Sequence, residues 1–260
     1  MKPRRIEVQD LVFHYGFFQD HKTLDGVSFS IEAGSFTGLL GRNGSGKSTV
    51  SMLLAGLMRP WSGSIKIDGV EVFENAEAMA NVCYTSDSTT VYRDNRITRT
   101  LRLWELTRPN WDAELAGWLL ETFKIDVKKR PSSLSRGQQS AFYATLGLAS
   151  RCPVTIFDEV HLGMDAVVRE IFYRTLLSDY AENPRTIIIS SHLIEEIENL
   201  LDHVVFIDGG HIIESGDVDE VRERHSTPGH VASFTEILTN LTITPAQQAL
   251  FAPNGERHDD

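Results

Sequence analysis

The run Gly41-Arg-Asn-Gly-Ser-Gly46-Lys47-Ser48-Thr49 concentrates the residue types that hold a polyphosphate. Gly41, Gly44 and Gly46 permit backbone conformations and close approaches that a Cβ would block, so successive N–H groups can wrap a β-phosphate. Lys47 adds a full positive charge near the β and γ phosphates, and the Ser48 hydroxyl can ligate Mg2+. Asn43, Ser45 and Thr49 complete the candidate phosphate-binding set. The spacing matches G-x-x-x-x-G-K-[ST], with an apolar run at 36–40 entering it and helical sequence at 47–57 leaving it. A helix starting there turns unpaired N–H groups and a positive dipole end toward the same anion. ATP with Mg2+ is the expected ligand.

Three more clusters carry chemistry. Val154-Thr-Ile-Phe-Asp158-Glu159 is an apolar run ending in two acids. It puts Asp158 at the carboxyl end of a buried strand, the end at which parallel sheets bind ligands. Asp158 is expected in the Mg2+ shell, and Glu159 as the general base that polarises the attacking water. Ser190-Ser191-His192 ends another apolar run. A lone histidine there is more often a surface or helix-start residue, but beside a phosphate loop it can reach a γ-phosphate and hold the transition-state geometry. Leu134-Ser135-Arg136-Gly137-Gln138 opens a helical stretch through residue 149. Ser135 as an N-cap explains it locally. A Ser-x-Gly-Gln at a helix start is also an anion-binding surface. Its distance from Lys47 along the chain suggests that it serves a different nucleotide, across a dimer interface.

The elements needed to position these residues are legible in outline. Residues 6–15 and 27–31 read as strands of a β-rich opening. Residues 64–67 and 82–85 read as further strands, with Asp68-Gly69 a turn between antiparallel segments. Asp112 is an expected N-cap, with Leu115, Trp118, Leu119 and Phe123 on one helical face, and the stretch from about 98 to 150 reads as helical. Strands at 154–157, 186–190 and 204–207 then alternate with helices at 166–180 and 194–201. That rhythm implies a parallel sheet covered on both faces. Short amphipathic helices are expected at 236–241 and 246–251, and disorder from 253. A loosely packed extension is the preferred reading of this tail over a docking appendage.

Composition sets the class. The chain has 260 residues, 41% hydrophobic and 23% charged, enough for one α/β domain with a real core. Its net charge of −11 argues against nucleic acid as a partner. Cys83 and Cys152 have no ligand-like spacing and read as reduced or buried thiols. The basic N-terminus lacks a following apolar segment, and no stretch has the roughly 20 apolar residues that cross a bilayer, so any membrane part must come from another polypeptide.

Taken in order, the phosphate loop, helical insertion, Leu134–Gln138 segment, Asp158-Glu159, Leu162-Gly-Met-Asp165 and His192 resemble the nucleotide-binding domain of ATP-binding cassette (ABC) proteins. The resemblance spans about residues 4 to 222. It implies an α/β fold with a P-loop core of parallel sheet and flanking helices, an N-terminal antiparallel β subdomain and an inserted helical subdomain. The implied division is a nucleotide-binding domain at 1–224, with the helical subdomain about 88–150, and a short, partly disordered extension at 225–260. It further implies an Mg2+-dependent ATPase active as a homo- or heterodimer. Two ATP molecules would lie head to tail between the phosphate loop of one subunit and Ser135, Gly137 and Gln138 of the other. Tyr15 would stack on adenine, and Asp165 would help link the two sites. A separately encoded permease would hold the chain on the cytoplasmic face of the membrane. Two departures from the family pattern stand out. Arg136 replaces a usual Gly, and Asp87, in Val82-Cys-Tyr-Thr-Ser-Asp87, replaces a usual Gln. Asp87 could meet Mg2+ directly or through an added water. Together with Asn110-Trp111-Asp112 and Gly163-Met-Asp165, this looks like the exporter-type ATPases of bacterial operons, Ytr-like or bacitracin-export-like. The rival reading is a soluble ABC ATPase of repair, translation or cofactor assembly. Such proteins often carry paired cassettes, long coiled coils or zinc insertions, none of which this sequence has.

Overall fold

A computed structural model describes residues 2–16, 22–86 and 93–243. Alternating apolar residues build the first sheet. β1 (Ile6–Phe13) pairs antiparallel with β2 (Leu24–Ile31), Ile6 opposite Ile31 and Val8 opposite Phe29. On its other side β1 takes β4 (Ser62–Ile67), which turns through Asp68-Gly69 into the short β5 (Val70–Glu71). Both turn residues have positive φ, 50° and 81°, as a tight hairpin requires.

The second sheet has the order β10-β9-β3-β8-β7-β6. Its strands are β3 (Phe36–Leu40), β6 (Val82–Ser86), β7 (Val154–Asp158), β8 (Thr186–Ser191), β9 (His203–Asp208) and β10 (His211–Asp217). All neighbours run parallel except the β9–β10 hairpin. Every residue of β3, β7 and β8 is buried, the mark of a sheet covered on both faces. The strand expected at 82–85 therefore does not continue the antiparallel hairpin. It crosses to the far edge of the parallel sheet, because α2 (Ala76–Ala80) intervenes and β5 ends after two residues.

Helices close both faces. On one, α1 (Lys47–Leu54) and the antiparallel sheet cover Leu39, Ile156, Ile188 and Val205. On the other, α5 (Arg136–Ser150) and α6 (Ala166–Glu182) bring Phe142, Phe172 and Leu176 onto Phe36, Phe157, Ile187 and Phe206. Burying each such side chain contributes roughly 1.5–3 kcal/mol. Gly147 lets α5 approach β7, since a Cβ there would come within 2.5 Å of the Phe157 ring. α3 (Ile97–Thr107) and α4 (Ala113–Thr122) pack beyond α5, and Leu119, Leu120 and Phe123 join the same core. Asp112 caps α4 as expected, accepting from Leu115 N–H at 2.8 Å. Arg151 ties that cap to α6, with Asp112 and Asp179 each 2.8 Å away. Cys83 and Cys152 are free, buried and side by side.

Three expectations change. Trp118 is 51% exposed, because α4 needs only Leu119, Leu120 and Ala116 to cover α5. The helix expected at 194–201 is α7 (Ile194–Ile197) followed by a 3-10 turn, Glu198–Leu200. The tail is not loose through residue 242. After α8 (Val218–His225), α9 (Phe234–Thr242) buries Phe234 and Ile237 completely, with Phe234 edge-on to Phe206 and capped by Arg222. The helix expected at 246–251 and the disorder from 253 lie outside the described residues. No described helix is long and apolar enough to cross a membrane.

Candidate active site

Parallel register assembles the site. Leu40 lies opposite Ser191, and Asp158 opposite Ser190, so the chain leaving β3, β7 and β8 brings Gly41, Glu159 and His192 to one edge. Gly41 approaches β9 so closely that a Cβ would lie 2.2 Å from the Ile207 carbonyl oxygen. Gly46, at φ 112°, occupies a conformation that L side chains rarely adopt, and its missing Cβ leaves room for Leu24 of β2. Lys47, 4% exposed, folds back over the loop: Nζ donates to the Gly41 carbonyl (2.9 Å) and the Arg42 carbonyl (3.0 Å). The buried Ser45 hydroxyl has no hydrogen-bond partner among the described residues. A lysine turned onto its own loop and an unsatisfied hydroxyl beside open backbone N–H groups fit a polyphosphate.

The cavity at this edge measures about 290 Å3 and is lined by Asn43, Gly44, Gly46, Lys47, Ser48, Thr49, Tyr15, Thr23 and Glu159. Tyr15 is 57% exposed, its hydroxyl 3.2 Å from Thr49 Oγ1 and its ring edge-on to Phe13. One edge of the ring is thus fixed while much of its surface faces solvent, as a platform for a base needs.

Asp158 is buried at the centre. Its carboxylate accepts from the hydroxyls of Ser190 (2.5 Å) and Tyr84 (3.0 Å), and Ser48 bonds it as well. Burial pushes its pKa up, and these three hydroxyls pull it back. Glu159 sits at φ 51°, a strained conformation held by its N–H bonds to the Ser190 carbonyl and hydroxyl. That turn swings its carboxylate between two nitrogens: Oε1 lies 3.3 Å from Lys47 Nζ and 3.2 Å from His192 Nδ1. The Ser48 hydroxyl and Asp158 carboxylate form an oxygen-only donor pair suited to a hard cation such as Mg2+. No cluster of three or more His, Cys, Asp or Glu that could hold a metal exists among the described residues, so phosphate oxygens and water would have to complete the shell. Asp87, the third expected metal residue, lies outside the described residues.

Ser135, Gly137 and Gln138 are not among the residues lining this cavity. They form the first turn of α5, where Ser135 and Gln138 make a reciprocal capping box. Asp165 caps α6, accepting from the N–H groups of Val167 and Val168. Sequence reasoning missed Tyr84, Ser190 and His161. His161 belongs to no motif, and the roles of Tyr84 and Ser190, which lie in the stretches read for Asp87 and His192, depend on the β6–β7 and β7–β8 pairing, which the sequence does not display.

Fold and site together define an ABC-type nucleotide-binding domain. Residues 24–161 match the sequence model of the family described as ABC transporter, and the chain belongs to that family. It is 30% identical over 205 residues to the ABC transporter ATP-binding protein YtrB of Bacillus subtilis, covering 79% of this chain and 70% of that one. It is 28% identical over 240 residues to the bacitracin transport ATP-binding protein BcrA of Bacillus licheniformis, covering 85% and 72%. A solved structure of the ATP binding subunit of an ABC transporter superposes with a TM-score of 0.79 at 25% identity, covering 92% of this chain and 99% of that one. The chain is an ATP-binding, ATP-hydrolysing domain of an ABC transporter.

Proposed function

We propose that this chain energises export through a separate membrane permease, working in pairs on the cytoplasmic face of the membrane. The carrying observation is a cleft beside the site. It has a volume of about 350 Å3, is mainly apolar, and is walled by Met52 and Leu57 near α1, Met79 at α2, Tyr84 of β6 and Trp104 of α3. Tyr84 lines this cleft and also bonds Asp158, so a permease segment seated there would press on the hydrolytic site. The direction, export, follows from the subfamily resemblance carried by Asn110-Trp111-Asp112 and Gly163-Met-Asp165.

Within each site, Lys47 and the loop N–H groups hold the β and γ phosphates, and Tyr15 stacks on adenine. Glu159 accepts a proton from the attacking water, and His192 holds the γ-phosphate. Ser48 and Asp158 would hold Mg2+, with Asp87 beside them directly or through water; the ion would neutralise charge on the phosphates. Ser135, Gly137 and Gln138 lie away from this chain's own cavity, which supports their serving the nucleotide of a second cassette, with Asp165 near that contact.

Co-expression with the hydrophobic protein encoded beside it tests the permease reading. The chain is expected in the membrane fraction only with that partner, and Leu57→Glu is expected to release it while ATP binding persists. Absence of any membrane protein in the same operon, or membrane recovery unaffected by Leu57→Glu, would overturn the assignment.

A further inference from the structure

His161 is fully buried, two residues beyond Glu159. Its Nε2 lies 3.0 Å from Ser191 Oγ, and that hydroxyl also accepts the Leu193 N–H at 2.9 Å. Ser191 therefore braces the turn that presents His192, and His161 braces Ser191. The same stretch is fixed on its other side, with Leu162 N–H bonded to the Glu159 carbonyl and Met164 N–H to the His161 carbonyl. Gly163 then lies against the start of α5, where a Cβ would come 2.3 Å from Ser140 Oγ and 3.1 Å from the Arg136 carbonyl oxygen.

The second imidazole nitrogen, Nδ1, is buried with no hydrogen-bond partner among the described residues. Leaving a buried polar atom unpaired is unfavourable, so for stability alone a phenyl ring packed against Tyr173, 6.0 Å away between centroids, would serve better. The nitrogen that is used is the one facing Ser191. Burial holds the ring neutral, helped by the charges of Arg169 and His192 and opposed by Glu159, so it acts through a hydrogen bond and not through charge.

We propose that His161 is a positioning residue for ATP hydrolysis: through Ser191 it holds the turn of His192 in register with Glu159. It is not among the residues lining the nucleotide cavity. The proposal rests on the roles given to His192 and Glu159. If His192→Ala leaves kcat unchanged, those roles fail; the variants below test His161 separately.

Steady-state ATPase kinetics and thermal melting of the full chain decide it. His161→Phe keeps the ring and removes the bond, and Ser191→Ala removes it from the other side. Each is expected to lower kcat about tenfold, with KM for ATP changed by less than about twofold. The double variant should be no worse than either single one. His161→Gln, whose amide nitrogen reaches the Nε2 position, should restore most of kcat. Wild-type kcat in His161→Phe would overturn the proposal, as would His161→Gln and His161→Phe being equally impaired with matching losses of melting temperature. Should His161→Phe fail to fold, Ser191→Ala decides alone, and unchanged kcat there overturns it.

Discussion

Glu159 shows how one residue can be placed against local preference. Its left-handed backbone is held by two bonds to Ser190, and the result is a carboxylate poised between Lys47 and His192. A general base contributes about 10²–10⁴ in rate, so Glu159→Gln should lower kcat by that order while nucleotide binding persists, as measured by ATPase assay beside equilibrium binding. Tyr84 offers a finer test. Tyr84→Phe removes one of three hydroxyls on Asp158, and a bond to a charged group contributes about 1.5–3 kcal/mol. The Mg2+ concentration for half-maximal rate is expected to rise roughly tenfold or more, together with a lower melting temperature. His161 contributes a pH dependence. Its folded pKa is lowered by burial from 6.5 to about 4, so the stability it permits is present above pH 6.5 and is lost as pH falls toward 4. The lost stability amounts to roughly 3 kcal/mol. Urea denaturation at pH 7 and pH 4.5 should show that slope in the wild type and a shallower one in His161→Gln. Asp158, with a raised pKa, carries the opposite sign.

At the scale of elements, α9 forms where a short amphipathic helix is expected at 236–241, but it is packed and not loose. Its polar outer residues and its position after a turn-rich stretch resemble a loose tail, yet Ser233 and Glu236 form a capping box and Phe234 enters the core beside Phe206. Phe234→Ala should therefore cost about 3–5 kcal/mol, read as a lower midpoint in urea denaturation. An exposed tail would show almost no change. The capping boxes of α5 and α9, Ser135-x-x-Gln138 and Ser233-x-x-Glu236, are alike locally, but only the first opens a long helix. The misplacement of β6 has a related cause. A short strand carries no label for its partner, and parallel or antiparallel pairing is settled by what lies between, here α2 and a truncated β5.

At the scale of the whole molecule, one chain presents the cavity lined by Lys47 and Glu159 at the edge of the parallel sheet and, apart from it, the capped start of α5, proposed to serve a second nucleotide. Two copies facing head to tail would complete two sites. Glu159→Gln is accordingly expected to form a dimer with ATP and Mg2+, seen as doubled mass by light scattering, and to return to monomer when EDTA removes the metal. A monomer under all conditions would rule out the paired site.

The phosphate loop, Asp158, Glu159 and His192 were readable because each is a local event: a few residues of required type at the end of an apolar run. Capping was readable for the same reason, since Asp112 and Ser135 act within three residues of themselves. What only the tertiary structure decided is every relation between strands distant in sequence. The β7–β8 register sets Ser190 on Asp158, the β6–β7 pairing sets Tyr84 on the same carboxylate, and the turn after β7 sets His161 on Ser191. The roles of these side chains cannot be read locally, even where they flank a motif, because their chemistry comes from the neighbour that packing supplies.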